Sequence, residues 1–246
     1  MIDQRAPLRQ RRDLGQIVDA AFRLYRQNFA VFFTIAMLVI PLGIASGIFQ
    51  TIGNQTVAAG VLGLLALCQA GVNLLAAAAI IVALDDIDAG RTPEFGHSYD
   101  VAFARFGTLL MGVLRVVVHV VLLALTVIGI PWAIQRIVRW VFVQQAIMLE
   151  GASPRESLSR SADVVLGSWW RTAGCWLLLS ILAAIPVALV RVGLLFAPVA
   201  VSSTATAAFD ALVLPFIVIA MTMLYFDLKS RREVQKPVAP EAHSQA

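Results

Sequence analysis

The chain has 246 residues, 59% of them hydrophobic and only 14% charged, with a mean hydropathy of +0.82. Soluble domains carry roughly 45–50% apolar and about 25% charged residues. The excess here is gathered into apolar runs of about 18 residues or more, the length needed to cross roughly 30 Å of hydrocarbon. A soluble globular domain, a disordered chain and a disulfide scaffold are therefore excluded. The net charge of +4 does not point to nucleic acid, because the basic residues flank the apolar runs as membrane orientation requires.

In chain order, a basic segment (1–12) precedes one membrane domain (13–233), and 234–246 reads as a disordered tail. Six spans are predicted. The first runs from Phe29 to Phe49 and is broken by Pro41; the second, Thr56 to Leu84, has only Gln69 and Asn73 as polar interruptions. The third is Gly107 to Ile130. A less apolar fourth, Ala133 to Leu149, carries Arg136, Arg139, Gln144 and Gln145. Trp169 to Val190, with Pro186, is the fifth, and Ala205 to Phe226 the sixth; residues 191–204 read as a re-entrant or interfacial stretch. Cys68 and Cys175 each lie inside an apolar run and read as small buried hydrophobes.

In this arrangement 14 of the 19 basic residues fall on one side, in 1–27, 85–106, 150–168 and the tail, while the opposite connections contribute only Arg191. The positive-inside rule then makes both termini cytoplasmic. Cleavage of the first run as a signal peptide is disfavoured, since about 28 amphipathic residues precede it.

Three segments on the basic side look alike, each a short amphipathic helix leading into an odd-numbered span. In the first, Leu14, Ile17, Ala21, Leu24 and Phe29 share a face opposite Gln16, Asp19, Arg23 and Arg26. Asp100-Val101-Ala102-Phe103 echoes Asp19-Ala20-Ala21-Phe22 in the second. The third opens on Ser153-Pro154-Arg155-Glu156, a helix-start signal that Thr92-Pro93-Glu94 repeats in shorter form. Each helix is expected to lie on the inner leaflet, apolar face down and basic residues near anionic headgroups.

No phosphate-binding glycine loop, dinucleotide fingerprint or nucleophile elbow is present. His97, His119 and His243 lie far apart without partners at ligand spacing, so no metal or other cofactor is expected. Asp85, Asp86 and Asp88 form the polar end of the second span in preference to a cation site. The residues of interest are the intramembrane polar ones: Arg115 and His119 on one face of the third span, Arg136 and Arg139 on the fourth, and Asp210 on the sixth. Asp210 and Arg139 lie at comparable depth, which predicts a pair between them or between Asp210 and Arg136. Such a cluster either binds a solute or headgroup or holds the bundle in register; the second is preferred, because the fourth span is short and its arginines can snorkel.

Segment 13–44, the stretch Arg139-Trp140-Val141-Phe142 with Ile147-Met148-Leu149-Glu150-Gly151, Ser157-Leu158-Ser159-Arg160-Ser161 and Gly167-Ser168-Trp169-Trp170-Arg171, and the ending Leu224-Tyr225-Phe226-Asp227-Leu228-Lys229-Ser230-Arg231-Arg232-Glu233 together resemble the glycerophosphoryl diester phosphodiesterase membrane-domain family. Gln144-Gln145 departs from it, since relatives commonly show proline there. The resemblance covers about residues 13–233. It implies a stand-alone module of the bacterial inner membrane without the catalytic barrel to which some relatives are fused, so phosphodiesterase activity is not inherited.

The expectation is thus an all-α, six-span helix bundle with three short amphipathic helices on the cytoplasmic side and no catalytic site. Its expected contacts are the bilayer, anionic headgroups of the cytoplasmic leaflet, and a protein partner or second copy, not nucleic acid. Its role is that of a membrane module linked to envelope or phospholipid metabolism, the alternative being a transporter or permease subunit for a small anionic solute or lipid-derived headgroup.

Overall fold

The computed structural model describes residues 12–50 and 55–235; Arg5, Arg9, Arg11, Lys236, His243 and the tail beyond 235 lie outside them. Among the described residues the chain is all helical: α1 (Leu14–Gln27), α2 (Phe29–Ala36), α3 (Ile40–Gln50), α4 (Gln55–Asp88), α5 (Phe95–Ala104), α6 (Phe106–Ala124), α7 (Ile130–Arg139), α8 (Val143–Glu150), α9 (Glu156–Val165), α10 (Trp169–Gly193) and α11 (Val199–Gln235). Five stretches are long and apolar enough to cross a membrane: Phe29–Gln50, Gly60–Asp88, Phe106–Ala124, Trp169–Gly193 and Val199–Arg232.

The expected fourth span is not one helix. It is α7 followed by α8, joined through a non-helical turn at Trp140 (φ −107, ψ 12) and Phe142 (φ −100, ψ 17). The cause is Ser161 of α9. Its buried hydroxyl donates to the Arg139 carbonyl (2.8 Å) and accepts the Phe142 N–H (3.1 Å), taking the bonds that a continuous helix would have made for itself. The two pieces still run back along α6. Gly129 turns the chain beside the end of α6, and Arg105, just before α6, donates to the Ile147 and Met148 carbonyls at the end of α8 (2.9 and 3.0 Å). Gly151, in the left-handed region at φ +64, closes α8 while Ala152 N–H reaches back to Ala146.

The core sits at one end of the bundle. There the second half of α4 and the last third of α11 are buried on nearly every face (Ala76, Ala78, Ile80, Ile81 and Leu84; Ile219, Leu224 and Tyr225). Helices this apolar all round must be wrapped, and the wrapping is done by the three short amphipathic helices with α2 and α8. In α1 and α9 apolar residues turn inward onto the bundle where lipid was expected, whereas α5 turns Ser98 and Ala102 inward and leaves Phe95 and Phe103 exposed. In α1, Ile17, Ala21 and Tyr25 are buried; the main-chain N–H of Arg12 reaches the Asp227 carboxylate (2.8 Å), and Tyr25 Oη reaches the Leu212 carbonyl (2.9 Å). These contacts lay α1 along α11 over about 20 Å. The internal echo holds in burial: Ala21 and Ala102 are fully buried, whereas Phe22 and Phe103 point outward. The residues that break each short helix from the span after it (Asn28, Arg105 and Ser168) share one non-helical conformation, with φ between −126 and −103 and ψ between 5 and 29.

Ser153 and Glu156 form the expected reciprocal start of α9 (3.1 and 3.4 Å), whereas Glu94 makes no side-chain cap at α5. Asp86 is taken by Arg91 (2.7 Å), with His97 3.9 Å away. Both cysteines are free thiols; Cys175 is buried as expected, but Cys68 is exposed.

Charge locks this end together. Asp227, with no solvent exposure, accepts from Arg171 (3.1 Å), from Arg231 (2.9 Å) and from the Arg12 N–H, and the Arg12 carbonyl accepts from both arginines in return. Glu150 accepts from Tyr225, Lys229 (2.8 Å) and Arg160 (2.9 Å). Burial alone would raise its pKa, but those three donors outweigh it and hold the carboxyl at about 2.

Two outcomes follow for stability in detergent micelles. Ser161→Ala leaves a buried carbonyl and a buried N–H unsatisfied and is expected to cost about 1–3 kcal/mol in unfolding measurements. A depressed carboxyl pKa stabilises the fold above the unfolded value and loses that contribution as pH falls through the folded one. The thermal midpoint should thus fall from about pH 4.5 towards pH 2, and Glu150→Gln should start lower and show a shallower acid slope.

Candidate functional site

Away from the charged end the helices part. Alpha-helix α11 packs closely on α3 along one side and on α10 along another, but α10 makes no extensive contact with α3 or α4. Between them lies a cleft of about 910 Å³, lined by α3, α4, α10 and α11 and by the turn between the last two. Its closed end meets the buried core near Val39, Asn73 and Ile217, and its other end reaches Leu194–Val199.

The α3–α11 wall is built on small residues. A β-carbon on Gly43 would sit 2.2 Å from Ala207 Cβ, and one on Gly47 would sit 1.7 Å from Ser203 Oγ, so the backbones touch only because both positions are glycine. Pro186 and Pro215 interrupt the hydrogen-bond ladders of α10 and α11, and Pro41 stands in the first turn of α3, next to the break that separates it from α2. The freed turn near Pro215 is stabilised from outside, where Tyr25 donates to Leu212, and Gln69 Nε2 donates to the Val39 carbonyl beside the break before α3 (3.4 Å).

The cleft surface is polar for a membrane segment. It carries hydroxyls (Ser46, Ser180, Ser202, Ser203, Thr206), side-chain amides (Gln50, Gln69, Asn73) and two charges, Arg191 and Asp210. Each hydroxyl already donates its proton to a backbone carbonyl one turn earlier: Ser46 to Gly43 (2.8 Å), Ser180 to Trp176 (2.8 Å), Ser202 to Val199 (3.0 Å), Ser203 to Ala200 (3.1 Å) and Thr206 to Ser202 (2.7 Å). What they offer the cleft is lone pairs, so they act there as acceptors.

The expected polar cluster is divided. His119 and Arg136 do meet, around Trp140: the imidazole stands edge-on to the indole at 5.6 Å, and the Arg136 guanidinium lies 5.0 Å from the ring centroid. With Leu122 and Leu123 they line a shallow groove of about 340 Å³. His119 Nδ1 is 2.7 Å from the Arg115 carbonyl, and Nη1 of Arg115 is buried without a hydrogen-bond partner among the described residues. Arg139 takes part through its main chain at the α7–α8 break. Asp210 belongs elsewhere. It faces the cleft, to which α7 contributes no residue, and the cation within electrostatic reach of it is Arg191. The predicted Asp210–Arg139 or Asp210–Arg136 pair is thus not formed: equal depth on two helices leaves open which side of the bundle each faces, and α7 packs on α6, α9 and α10.

Sequence reasoning overlooked the cleft, though its signal was present. Gln69 and Asn73, Gly43 and Gly47, Ser202, Thr206 and Asp210, and Ser180 and Arg191 recur at helical spacing within otherwise apolar runs, one polar or small stripe per helix. Among the described residues no group of three or more metal-ligating side chains comes together.

Because Arg139 and Asp210 are unpaired, Arg139→Ala and Asp210→Ala should change the unfolding free energy additively, with a coupling below about 0.5 kcal/mol in a double-mutant cycle; a coupling well above that restores the pair. In comparisons with known proteins, no family model, no curated protein and no solved structure matches the chain.

Proposed function

We propose that this chain is a non-enzymatic, multi-pass inner-membrane module that contacts lipid by admitting a polar headgroup, or a small molecule carrying one, into the cleft between α10 and the α3–α4 pair. The observation that carries the reading is the cleft itself. Polar side chains inside a bilayer are costly unless paired or hydrated, and here four helices each turn a polar or small stripe toward one space of about 910 Å³, the size of a small-molecule site. The concentration of Lys and Arg at the end holding Arg12 and Lys229 supports placing both termini in the cytoplasm. Exposed Arg23, Arg26 and Arg155 then face anionic headgroups of that leaflet, and the exposed apolar outer surface suits a protein partner or second copy as well as lipid.

Membership of the glycerophosphoryl diester phosphodiesterase membrane-domain family is part of the same proposal. In its favour, the residues that carry the resemblance (Glu150, Arg160, Ser161, Arg171, Tyr225, Asp227, Lys229 and Arg231) bond to one another or to the α7–α8 and α1 backbones, as a shared framework would.

A second reading, transport of such a headgroup or of a small anionic solute, is favoured by prolines in three of the four cleft helices, a pattern found where transporter helices break around a midplane site. It requires the core at the closed end to open.

The test is lipid and small-molecule retention by the purified protein in native mass spectrometry, comparing wild type with Ala184→Trp, which puts an indole into the cleft from the loosely packed α10. Wild type should retain a bound molecule that Ala184→Trp loses while keeping its thermal midpoint. Equal retention by both removes the cleft from the proposal. Uptake of a retained molecule into proteoliposomes would favour transport.

A further inference from the structure

Two side chains of opposite charge face the cleft without meeting. Neither Arg191 nor Asp210 forms a hydrogen bond or ion pair with another described residue, yet Arg191 is near enough to act electrostatically on Asp210. They also differ in depth. Arg191 is in the last turn of α10, beside the mouth at Leu194–Val199, whereas Asp210 lies about 16 Å along α11 from Val199.

We infer, resting on the cleft being a binding site, that its ligand is a zwitterion. A cationic amine reaches inward to Asp210, and an anionic phosphate or carboxylate stays with Arg191 near the mouth. An anion alone would gain Arg191 and be repelled by Asp210; a cation alone meets the reverse; a neutral ligand leaves both charges without a counterpart in surroundings where unpaired charge is expensive. A zwitterion answers both and carries no net charge between apolar walls. The hydroxyls give the same polarity independently. Ser46, Ser202, Ser203 and Thr206 all commit their protons to the backbone, so the wall leading to Asp210 offers acceptors, which an ammonium group with three N–H donors can use and a phosphate oxygen cannot.

The same chemistry exists as a free solute and as a lipid headgroup, and the experiment separates them. Protein in phosphatidylglycerol nanodiscs is titrated with glycerophosphoethanolamine, a phosphodiester with one charge of each sign, with ethanolamine and with inorganic phosphate; in parallel, phosphatidylethanolamine retention is measured against phosphatidylglycerol by native mass spectrometry. Glycerophosphoethanolamine or its lipid form should bind at least about tenfold more tightly than either single-charge probe or the anionic lipid, a difference of about 1.4 kcal/mol. Asp210→Asn should remove the advantage over phosphate and over phosphatidylglycerol, and Arg191→Gln the advantage over ethanolamine. The reversed pair Arg191→Glu with Asp210→Lys, which restores one charge of each sign, should recover part of the preference. Binding confined to the lipid assigns the ligand to the bilayer, and binding of glycerophosphoethanolamine itself assigns it to a solute. A zwitterion preference that survives Asp210→Asn, or equal binding of all probes, overturns the zwitterion while Ala184→Trp sensitivity keeps the cleft. Insensitivity of every probe to Ala184→Trp overturns both.

Discussion

A carboxylate removed from solvent costs several kcal/mol unless its lone pairs are filled, and Asp227 is the point at which this chain meets that demand. Its partners come from the start of the described chain (the Arg12 N–H), from the first turn of α10 (Arg171) and from its own helix one turn on (Arg231), while the Arg12 carbonyl accepts from both guanidinium groups. No two of these elements can separate without exposing an unpaired charge to the others. Glu150 repeats the solution a short way off, joining α8, α9 and α11 through Arg160, Tyr225 and Lys229. The two carboxylates fix the order in which the helices wrap the buried ends of α4 and α11.

That closed end sets what the other end is free to do. The wrapping helices α1, α5 and α9 all pack on the charged half of the bundle, and none of them contributes a residue to the cleft. Where α3 and α11 have glycine, alanine and serine to place against each other they close completely; where α10 faces α3 and α4 no such small-residue seam exists, and a cleft remains. Rigid support at one end and a polar opening at the other is an arrangement that positions binding groups on fixed helices. Prolines at positions 41, 186 and 215 add local weak points around the same space.

Much of this is legible in the amino-acid sequence. Apolar runs longer than a bilayer core have few alternatives to helix, because no other element satisfies its own backbone in hydrocarbon, and five such helices are present among the described residues. The amphipathic stretch beginning at Leu14 announces a helix with one buried face, and Ile17, Ala21 and Tyr25 occupy it. The sequence is silent on what covers that face, since lipid and a neighbouring helix are equally apolar; α11 covers it. The fourth span shows the opposite failure. Its composition permits a continuous helix, and only the hydroxyl of Ser161, arriving from a different part of the chain, takes the bonds that divide it.

For the site the division is sharper. Periodicity assigns each polar residue to a face of its own helix, so the stripes through Asp210, Arg191 and Gln69–Asn73 are properties of the sequence alone, as are the class of the fold and the side that gathers its positive charge. Which stripes face each other is set by how the helices rotate about their axes, and that is decided by packing at distant points: Gly47 on Ser203, Ser161 in the α7–α8 turn, Asp227 on Arg12 and Arg171. Depth can be counted along a chain, whereas azimuth cannot. Asp210 therefore shares a cleft with Arg191, and Arg139 has no part in it.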